Sequence, residues 1–187
     1  MQVSILCGGK SSRMQSEKGL TLYKNKPFIE HIIEAVLPLT ATIQLITNSD
    51  DYDYLQYDTI KDIIIDKGPM GGIYSALIHS KTEMNLILSC DIPLISTKIL
   101  QQLIEKHISS FDVSIFEESN RVHPLIGIYS KKVVPILKKT IGNNELKMMH
   151  FISNIKHQLI WIENENKHQF QNINSLIELD ELNTKYK

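Results

Sequence analysis

Short apolar runs alternate with amphipathic stretches along the first 110 residues of the chain. Residues 2–6 form an apolar run that stops at two glycines, which is typical of a buried strand entering a loop. Residues 28–37 follow a proline and carry apolar side chains at helical spacing, namely Ile29, Ile32, Ile33 and Val36. The same criteria predict further strands at 43–47, 62–65 and 85–89 and further helices at 71–80 and 97–107.

This alternation predicts the fold class and the domain organisation. Strand–helix–strand units form right-handed crossovers between parallel strands, with helices on both faces of the sheet. Beyond residue 110 the alternation of strands and helices is less regular. Strands are predicted there at 113–116, 125–129 and 159–162, and helices at 133–140, 146–152 and 175–183. The predicted fold is α/β: a single three-layer α/β/α domain over residues 1–187, with a Rossmann-like, mainly parallel sheet and a mixed carboxyl-terminal part.

Composition and charge narrow the class of protein. Hydrophobic residues make up 42% of the 187 positions and charged residues 22%, which is the balance of a soluble globular protein. The 20 Lys and Arg residues nearly balance the 21 Asp and Glu residues, so we expect no nucleic-acid partner. Cys7 and Cys90 lie far apart in the sequence, which suits a reducing cytosol. Because there is no signal peptide and no run of about 20 apolar residues, we expect a cytoplasmic protein with no membrane partner.

The loop that follows the first strand has the chemistry of a phosphate-binding site. Gly8 and Gly9 allow the backbone to approach a triphosphate and to point its N–H groups at it. Arg13 and Lys18 supply cations that pair with phosphate oxygens. Taken alone, the two glycines are better explained as a surface turn.

Two common phosphate motifs do not fit this loop. A P-loop that ends in Gly9-Lys10-Ser11 would need its first glycine at Ser4, inside the strand. A dinucleotide-binding fingerprint would need a glycine at Lys10. We therefore expect a phosphate-binding loop of another class.

Two later loops carry candidate site residues at predicted strand ends. Asp66 is followed by Gly-Pro and Gly-Gly dipeptides, whose glycines allow close approach at the start of a helix, a natural anion site. A simple strand-to-helix connection is the alternative. Asp91 follows the strand at 85–89 and is placed to hold a hard cation such as Mg²⁺, although a turn is the better explanation of an Asp-x-Pro taken alone. Ligands bind at the carboxyl ends of the strands in such sheets, so we expect these loops to converge.

The string from Leu6 to Lys18 resembles the amino-terminal signature of the MobA family of molybdenum cofactor guanylyltransferases, L-A-G-G-x-S-x-R-M-G-x-D/E-K. The positions in register are Leu6, Gly8, Gly9, Ser11, Arg13, Met14, Glu17 and Lys18. Cys7 replaces an alanine of the signature, and Gln15 replaces a glycine. The segment 66–72 resembles the family's G-P-L-A-G motif with its preceding aspartate, and residues 90–93 resemble its C-D-x-P metal motif.

The resemblance implies a nucleotidyltransferase of the NTP-transferase (glycosyltransferase-A-like) superfamily, which transfers GMP from GTP to molybdopterin and releases pyrophosphate. It implies a nucleotide-binding half at about 1–110 and an acceptor-binding half at about 111–187. The nucleotide-binding residues that it implies are Leu6, Cys7, Gly8, Gly9, Lys18, Asn48, Asp66 and Asp91. The catalytic residues that it implies are Arg13, Lys18 and Asp91, with Mg²⁺ held by Asp91. Asp66 would lie near the base, because a carboxylate accepts from the adjacent N–H groups of guanine, which cytosine lacks.

Weaker signals mark the acceptor side. His123 belongs to a short segment that resembles the family's basic-His-Pro segment and would meet the acceptor's phosphate; a solvated hairpin end is the alternative. Lys147 is a further candidate contact to that phosphate, or an ordinary exposed lysine. Asn172 and Asn174 lie two residues apart on an extended stretch and would face the same way, toward a polar ligand. Asn174 is also a candidate helix cap, and Asn48 a candidate turn residue.

Two rival functions remain open on the sequence alone. A sister enzyme would use CTP or another phosphorylated acceptor in place of GTP and molybdopterin. A non-catalytic, nucleotide-binding relative would suit Gln15 and the looser carboxyl half, but Arg13, Lys18 and Asp91 argue against it. The predicted partners are thus GTP and molybdopterin, with room for transient contacts with other proteins of molybdenum cofactor biosynthesis.

Overall fold

The computed structural model describes residues 1–8, 17–118 and 121–185. Its strands are β1 (Gln2–Leu6), β2 (Leu22–Tyr23), β3 (Lys26–Pro27), β4 (Ile43–Ile46), β5 (Asp58–Ile60), β6 (Met84–Ser89), β7 (Val113–Glu118), β8 (Arg121–Ser130) and β9 (His157–Trp161). Its α-helices are α1 (Phe28–Val36), α2 (Gly68–His79), α3 (Thr97–Lys106), α4 (Val134–Gly142), α5 (Met148–Ser153) and α6 (Leu176–Lys185). Short 3-10 turns lie at Lys18–Leu20, Asp50–Leu55, Lys131–Val133 and Asn164–Phe170.

Seven strands form one mixed sheet in the order β5-β4-β1-β6-β8-β7-β9. The strands β5, β4, β1 and β6 are mutually parallel, whereas β8 is antiparallel to both β6 and β7. Leu6 at the end of β1 pairs with Ile46 of β4 and with Ser89 of β6. The carboxyl ends of three neighbouring strands therefore meet at one edge of the sheet.

Helices cover both faces of this sheet, because successive side chains of a strand point to opposite faces. Val3 and Ile5 belong to the core cluster shared with α1 and α3, which includes Ile32 and Leu103. The opposite cluster joins Ile87 and Ile115 of the sheet with α2, α4 and α5, through Ile73, Leu77, Leu137, Ile141 and Phe151. The predicted three-layer α/β/α fold, with its mainly parallel sheet and mixed carboxyl-terminal part, is confirmed. Among the described residues, no helix combines the length and the apolar character needed to cross a membrane.

The third strand is the main error of the sequence prediction. It lies at Asp58–Ile60, not at 62–65, and it pairs in parallel with β4 at the edge of the sheet. Residues 62–65 instead form a turn, in which Ile63 and Ile65 are 46% and 66% exposed. These apolar residues therefore belong to a loop that leads to α2, and not to a buried strand.

Two element boundaries also differ from prediction in ways that matter for the site. Helix α2 begins at Gly68, three residues before the predicted start at 71, because Pro69 suits the first turn of a helix. Strand β8 begins at Arg121 and not at 125, so His123 belongs to the sheet.

A glycine at the centre of the sheet gives a stability prediction. Gly127 pairs with Ile87 on one side and with Ile115 on the other, and a Cβ atom there would lie 2.4 Å from Ile115 Cγ2 and 3.0 Å from the Ser114 carbonyl oxygen. We expect Gly127→Ala to lower the free energy of unfolding by about 1 to 3 kcal/mol through overpacking, as measured by urea denaturation.

The matched control is Gly142→Ala at the end of α4, where nothing lies within 4 Å of the added carbon. This control should change the free energy of unfolding by no more than about 0.5 kcal/mol. Equal effects of the two substitutions would contradict the packing argument.

Candidate active site

A cavity of about 970 Å³ opens at the edge where β1, β4 and β6 end. Six residues predicted from the sequence line it: Leu6, Gly8, Lys18, Asn48, Asp66 and Asp91. They come from separate loops of the chain, and the parallel sheet brings them together. Gly9 and Arg13 lie outside the described residues. The roles assigned to all of these residues remain predictions.

Lys18 and Asp91 form the centre of the charged part of this cavity. Lys18 Nζ lies 3.5 Å from Asp91 Oδ2, and their side chains are 24% and 7% exposed. The Ser89 hydroxyl donates to Asp91 Oδ1 at 2.6 Å. A nearly buried carboxylate is stable only with such partners, because burial removes its hydration. The pair is therefore held in place before any ligand binds.

The 3-10 turn at Lys18–Leu20 fixes the position of Lys18. Gly19 packs so closely that a Cβ atom there would lie 2.8 Å from the Tyr52 hydroxyl oxygen. The same hydroxyl donates to the Cys7 carbonyl at 3.5 Å, which ties this turn to the end of β1. Burial, followed by the neighbouring Cys90 thiol, raises the pKa of Cys7, so the thiol remains protonated and unreactive. The Cys7 side chain is fully buried, and Cys7 is not among the described residues that line the cavity.

The loop before α2 presents the amino terminus of that helix to the cavity. Asp66 and Gly68 both adopt positive φ angles, of 60° and 55°, and Gly68 and Pro69 line the cavity. Gly71 and Gly72, in the first turns of this helix, allow the helix to pack closely against its neighbours. A Cβ atom on Gly71 would lie 2.9 Å from the Ile64 carbonyl oxygen, and one on Gly72 would lie 3.2 Å from Leu6 Cδ2. The amino terminus of the helix, the end whose N–H groups would suit an anion, is thus at Gly68, ahead of the predicted Gly-Gly dipeptide.

Asp62 is a site residue that the sequence analysis missed. It lines the cavity and forms a reciprocal pair with Asn48: Asn48 Nδ2 donates to Asp62 Oδ2 at 3.2 Å, and Asp62 N donates to Asn48 Oδ1 at 2.9 Å. Its other oxygen, Oδ1, is buried and has no hydrogen-bond partner. Burial raises the pKa of this carboxyl group, and the Asn48 amide and the nearby Ser75 hydroxyl partly offset that effect. Residues 62–65, Asp-Ile-Ile-Ile, were predicted to form a strand, so Asp62 was not recognised as a residue that lines the cavity.

The acceptor-side candidates divide into two groups. Asn172 and Asn174 reach the charged pair itself: Asn172 Nδ2 donates to Asp91 Oδ2 at 3.3 Å, and Lys18 Nζ donates to Asn174 Oδ1 at 2.6 Å. They face the same way, as predicted from their spacing, and the cap of α6 is the Ser175 hydroxyl, which accepts from Glu178 N. The carboxyl-terminal segment thus completes the charged centre.

His123 and Lys147 lie elsewhere. His123 is only 5% exposed and packs on the Phe170 ring with centroids 5.0 Å apart, so the solvated hairpin end offered as an alternative is wrong. Burial, and next the Arg121 charge, lowers the pKa of His123, which leaves it neutral near pH 7. Lys147 is exposed just before α5 and does not belong to the described lining of the cavity.

A doubly covered, mainly parallel sheet with a lysine, an aspartate and a helix amino terminus around one cavity at its carboxyl edge fits the class of α/β nucleotidyltransferases. More specifically, the chain belongs to the family of the MobA-like NTP transferase domain, whose model matches residues 3–158.

Named relatives agree with this assignment. A protein of Flavobacterium johnsoniae named probable molybdenum cofactor guanylyltransferase is 59% identical over 179 residues, which cover 96% of this chain and 94% of the relative. A protein of the same name from Carboxydothermus hydrogenoformans is 32% identical, over 87% of this chain and 82% of the relative. The crystal structure of molybdopterin-guanine dinucleotide biosynthesis protein A from Archaeoglobus fulgidus has the same fold. It superposes with a TM-score of 0.83 at 21% identity, covering 99% of this chain and 98% of that chain.

The contact between Asn48 and Asp62 gives a prediction for the cavity. Asn48→Ala removes a hydrogen bond that favours the ionised carboxylate, so the pKa of Asp62 should rise further above its ordinary value. A pH titration followed by NMR of the side-chain carboxyl carbon measures this change. The control Asn143→Ala alters an exposed amide whose side chain bonds to Glu145 and not to Asp62, and it should leave the Asp62 titration unchanged. A lower or unaltered pKa in Asn48→Ala would show that the contact does not hold the carboxylate.

Proposed function

We propose that this protein is a molybdenum cofactor guanylyltransferase, which transfers GMP from GTP to molybdopterin and releases pyrophosphate, in the biosynthesis of the molybdopterin guanine dinucleotide cofactor. The observation that carries the proposal is the preformed Lys18–Asp91 pair within the cavity at the sheet edge. The names of the relatives from F. johnsoniae and C. hydrogenoformans support the choice of substrates.

The proposed reaction needs no covalent enzyme intermediate. The terminal phosphate of the acceptor is already an anionic nucleophile, so the protein must align it with the α-phosphorus of GTP and offset the repulsion between the anions. Lys18 is placed to pair with phosphate oxygens, and we assign Arg13 the same task from its position in the signature motif. The N–H groups at the start of α2 offer further donors for an anionic group.

Mg²⁺ is the metal that best fits Asp91. Magnesium binds one or two protein carboxylates together with phosphate oxygens and water, and does not require a cage of protein ligands. Within residues 1–8, 17–118 and 121–185, no three His, Cys, Asp or Glu side chains are grouped closely enough to form such a cage. When bound at Asp91, the ion would supply positive charge to the phosphate oxygens and to the departing pyrophosphate.

Carboxylates in the cavity lining support guanine as the base. Asp66 and Asp62 both line the cavity, together with Asn48. A carboxylate accepts from two adjacent N–H groups in guanine, and the exposed carboxylate of Asp66 is a suitable acceptor. Cytosine does not offer the same pair of donors, so this lining favours GTP over CTP.

A pyrophosphate-release assay tests the proposed reaction. With Mg²⁺ and molybdopterin present, we expect release with GTP and little release with ATP, CTP or UTP, and a product heavier than molybdopterin by one GMP residue. The acceptor-free mixture is the control and should release no pyrophosphate above background. Preferred turnover of CTP would identify the sister enzyme, and tight GTP binding without any release would identify a non-catalytic relative.

Substitutions in the charged pair test the assigned roles. Asp91→Asn and Lys18→Ala should each lower kcat/KM by about 100-fold or more, because each removes a charge that acts on the phosphates. Asp58→Asn and Lys138→Ala, which change exposed side chains away from the cavity, are the matched controls and should retain activity. Circular dichroism would verify that the variants are folded. A folded Asp91→Asn enzyme with wild-type activity and unchanged dependence on Mg²⁺ would remove the metal assignment.

A further inference from the structure

The start of helix α6 is joined to the extended segment that reaches the charged pair. Asn172 donates to Asp91, and Asn174 accepts from Lys18. Between them, Ile173 N donates to the Asp91 carbonyl oxygen at 2.9 Å, and the Ile173 side chain is fully buried. Helix α6 begins two residues after Asn174, so the contacts of its first turn determine where this segment lies.

Glu178 lies in the first turn of α6 and contacts the segment that precedes the helix. Its carboxylate oxygen Oε2 accepts from Asn174 N at 2.6 Å, while Glu178 N donates to the Ser175 hydroxyl at 3.3 Å. In an ordinary capping box the glutamate accepts from the N–H group of the capping residue itself. Here the carboxylate reaches one residue further back, to the residue whose side chain meets Lys18.

These contacts form one continuous line from Glu178 to Asp91. The Glu178 carboxylate holds the Asn174 backbone, Asn174 Oδ1 accepts from Lys18 Nζ at 2.6 Å, and Lys18 Nζ lies 3.5 Å from Asp91 Oδ2. A lysine ammonium sits on a flexible four-carbon stem, so it needs partners to stay in one position. A hydrogen bond to an ionised acceptor is stronger than one between neutral groups, so the Glu178 carboxylate fixes Asn174 firmly.

The apolar face of α6 packs on the part of the chain that follows the Lys18 turn. Leu182 of α6 is buried in one small cluster with Ile173, Tyr23 and Phe28. Tyr23 and Phe28 follow the 3-10 turn of Lys18 within a few residues of the sequence. The helix that carries Glu178 therefore rests on the same support as the lysine that Asn174 holds.

We propose that Glu178 is a positioning residue, which holds Asn174 so that Asn174 orients the Lys18 ammonium toward Asp91 and the phosphates of the nucleotide. The kinetic part of this inference rests on the proposed function, whereas the positional part rests on the contacts alone. The described lining of the cavity does not include Glu178, so this carboxylate acts through Asn174 and not on the ligand itself.

A double-mutant cycle tests whether Glu178 acts through Lys18. Glu178→Ala should lower kcat/KM by about tenfold, because the charge-assisted hydrogen bond to Asn174 is lost. Glu178→Gln keeps an acceptor oxygen and should recover most of the activity. In the Lys18→Ala background, Glu178→Ala should have no further effect, because the group that it positions is already absent. An equal further loss in that double variant would overturn the inference, since a general folding defect adds to the loss of Lys18.

Ser175→Ala is the matched control for the helix start. It removes the hydroxyl that accepts from Glu178 N but leaves the carboxylate that accepts from Asn174 N, so kcat/KM should stay within about twofold of wild type. A loss as large as that of Glu178→Ala would assign the effect to the helix cap and overturn the positioning role. Glu181→Ala removes an exposed carboxylate of the same helix and should also retain activity.

Chemical labelling of Lys18 separates this inference from the proposed function. The probe is an amine-acylating N-hydroxysuccinimide ester, applied to the full chain without nucleotide, and the labelled peptide is quantified by mass spectrometry. Loss of the Glu178 contact should free Lys18 and raise its labelling rate about fivefold in Glu178→Ala, with no rise in Ser175→Ala. That pattern supports the inference even if wild type releases no pyrophosphate. Equal labelling rates in wild type and Glu178→Ala overturn it, whether or not GMP transfer is observed.

Discussion

The contact between Lys18 and Asp91 is the interaction on which the rest of the site depends. Asp91 is almost fully buried, and its two oxygens are held by Ser89, Lys18 and Asn172. Removing a carboxylate from water without such partners would cost several kcal/mol, so the surrounding structure must supply them. Because its partners come from the loop after β1, from β6 and from the carboxyl-terminal segment, one charged group aligns three distant parts of the chain. Under the proposed function, a triphosphate in the cavity would meet charges that are already oriented, which would limit the reorganisation needed during the reaction.

The order of the strands explains why these parts can meet. Strand β1 lies between β4 and β6, and all three end at the same edge, so the loops that follow them surround one crevice. The antiparallel β8 then starts at that edge, and the later part of the chain returns to it through Asn172 and Asn174. A fully parallel sheet would have needed another crossover helix to bring a new strand start to this place. The mixed carboxyl-terminal part of the fold therefore supplies Leu125 to the cavity lining and Asn172 and Asn174 as partners of the charged pair.

The sequence predicted the parts of the molecule that local chemistry determines. Gly8, Asn48 and Asp91 follow strands, and the rule that the carboxyl ends of parallel strands converge was enough to place them around one cavity. Lys18 was predicted from the signature motif, and Asp66 lies at the cavity through the turn before α2, although the strand predicted before it is a loop. Asp62 was missed because an edge strand of Asp-Thr-Ile carries a weak apolar signal, while the exposed Ile63–Ile65 that follows it carries a strong one. The burial of His123 was missed for a related reason, since it depends on Phe170, a residue far along the chain. Contacts between distant segments leave no periodic trace in the sequence.

The bounds of the family match bear on how the charged pair is held. The family model ends at residue 158, whereas Asn172 and Asn174 come after it. Lys18 and Asp91 thus belong to the part of the chain that the model covers, and two of their partners belong to the segment that follows. Since Asn172 donates to Asp91 and Lys18 donates to Asn174, a change in that segment alters the alignment of the charged pair. An extended segment suits this task, because residues two apart on it face the same way and can reach both members of the pair.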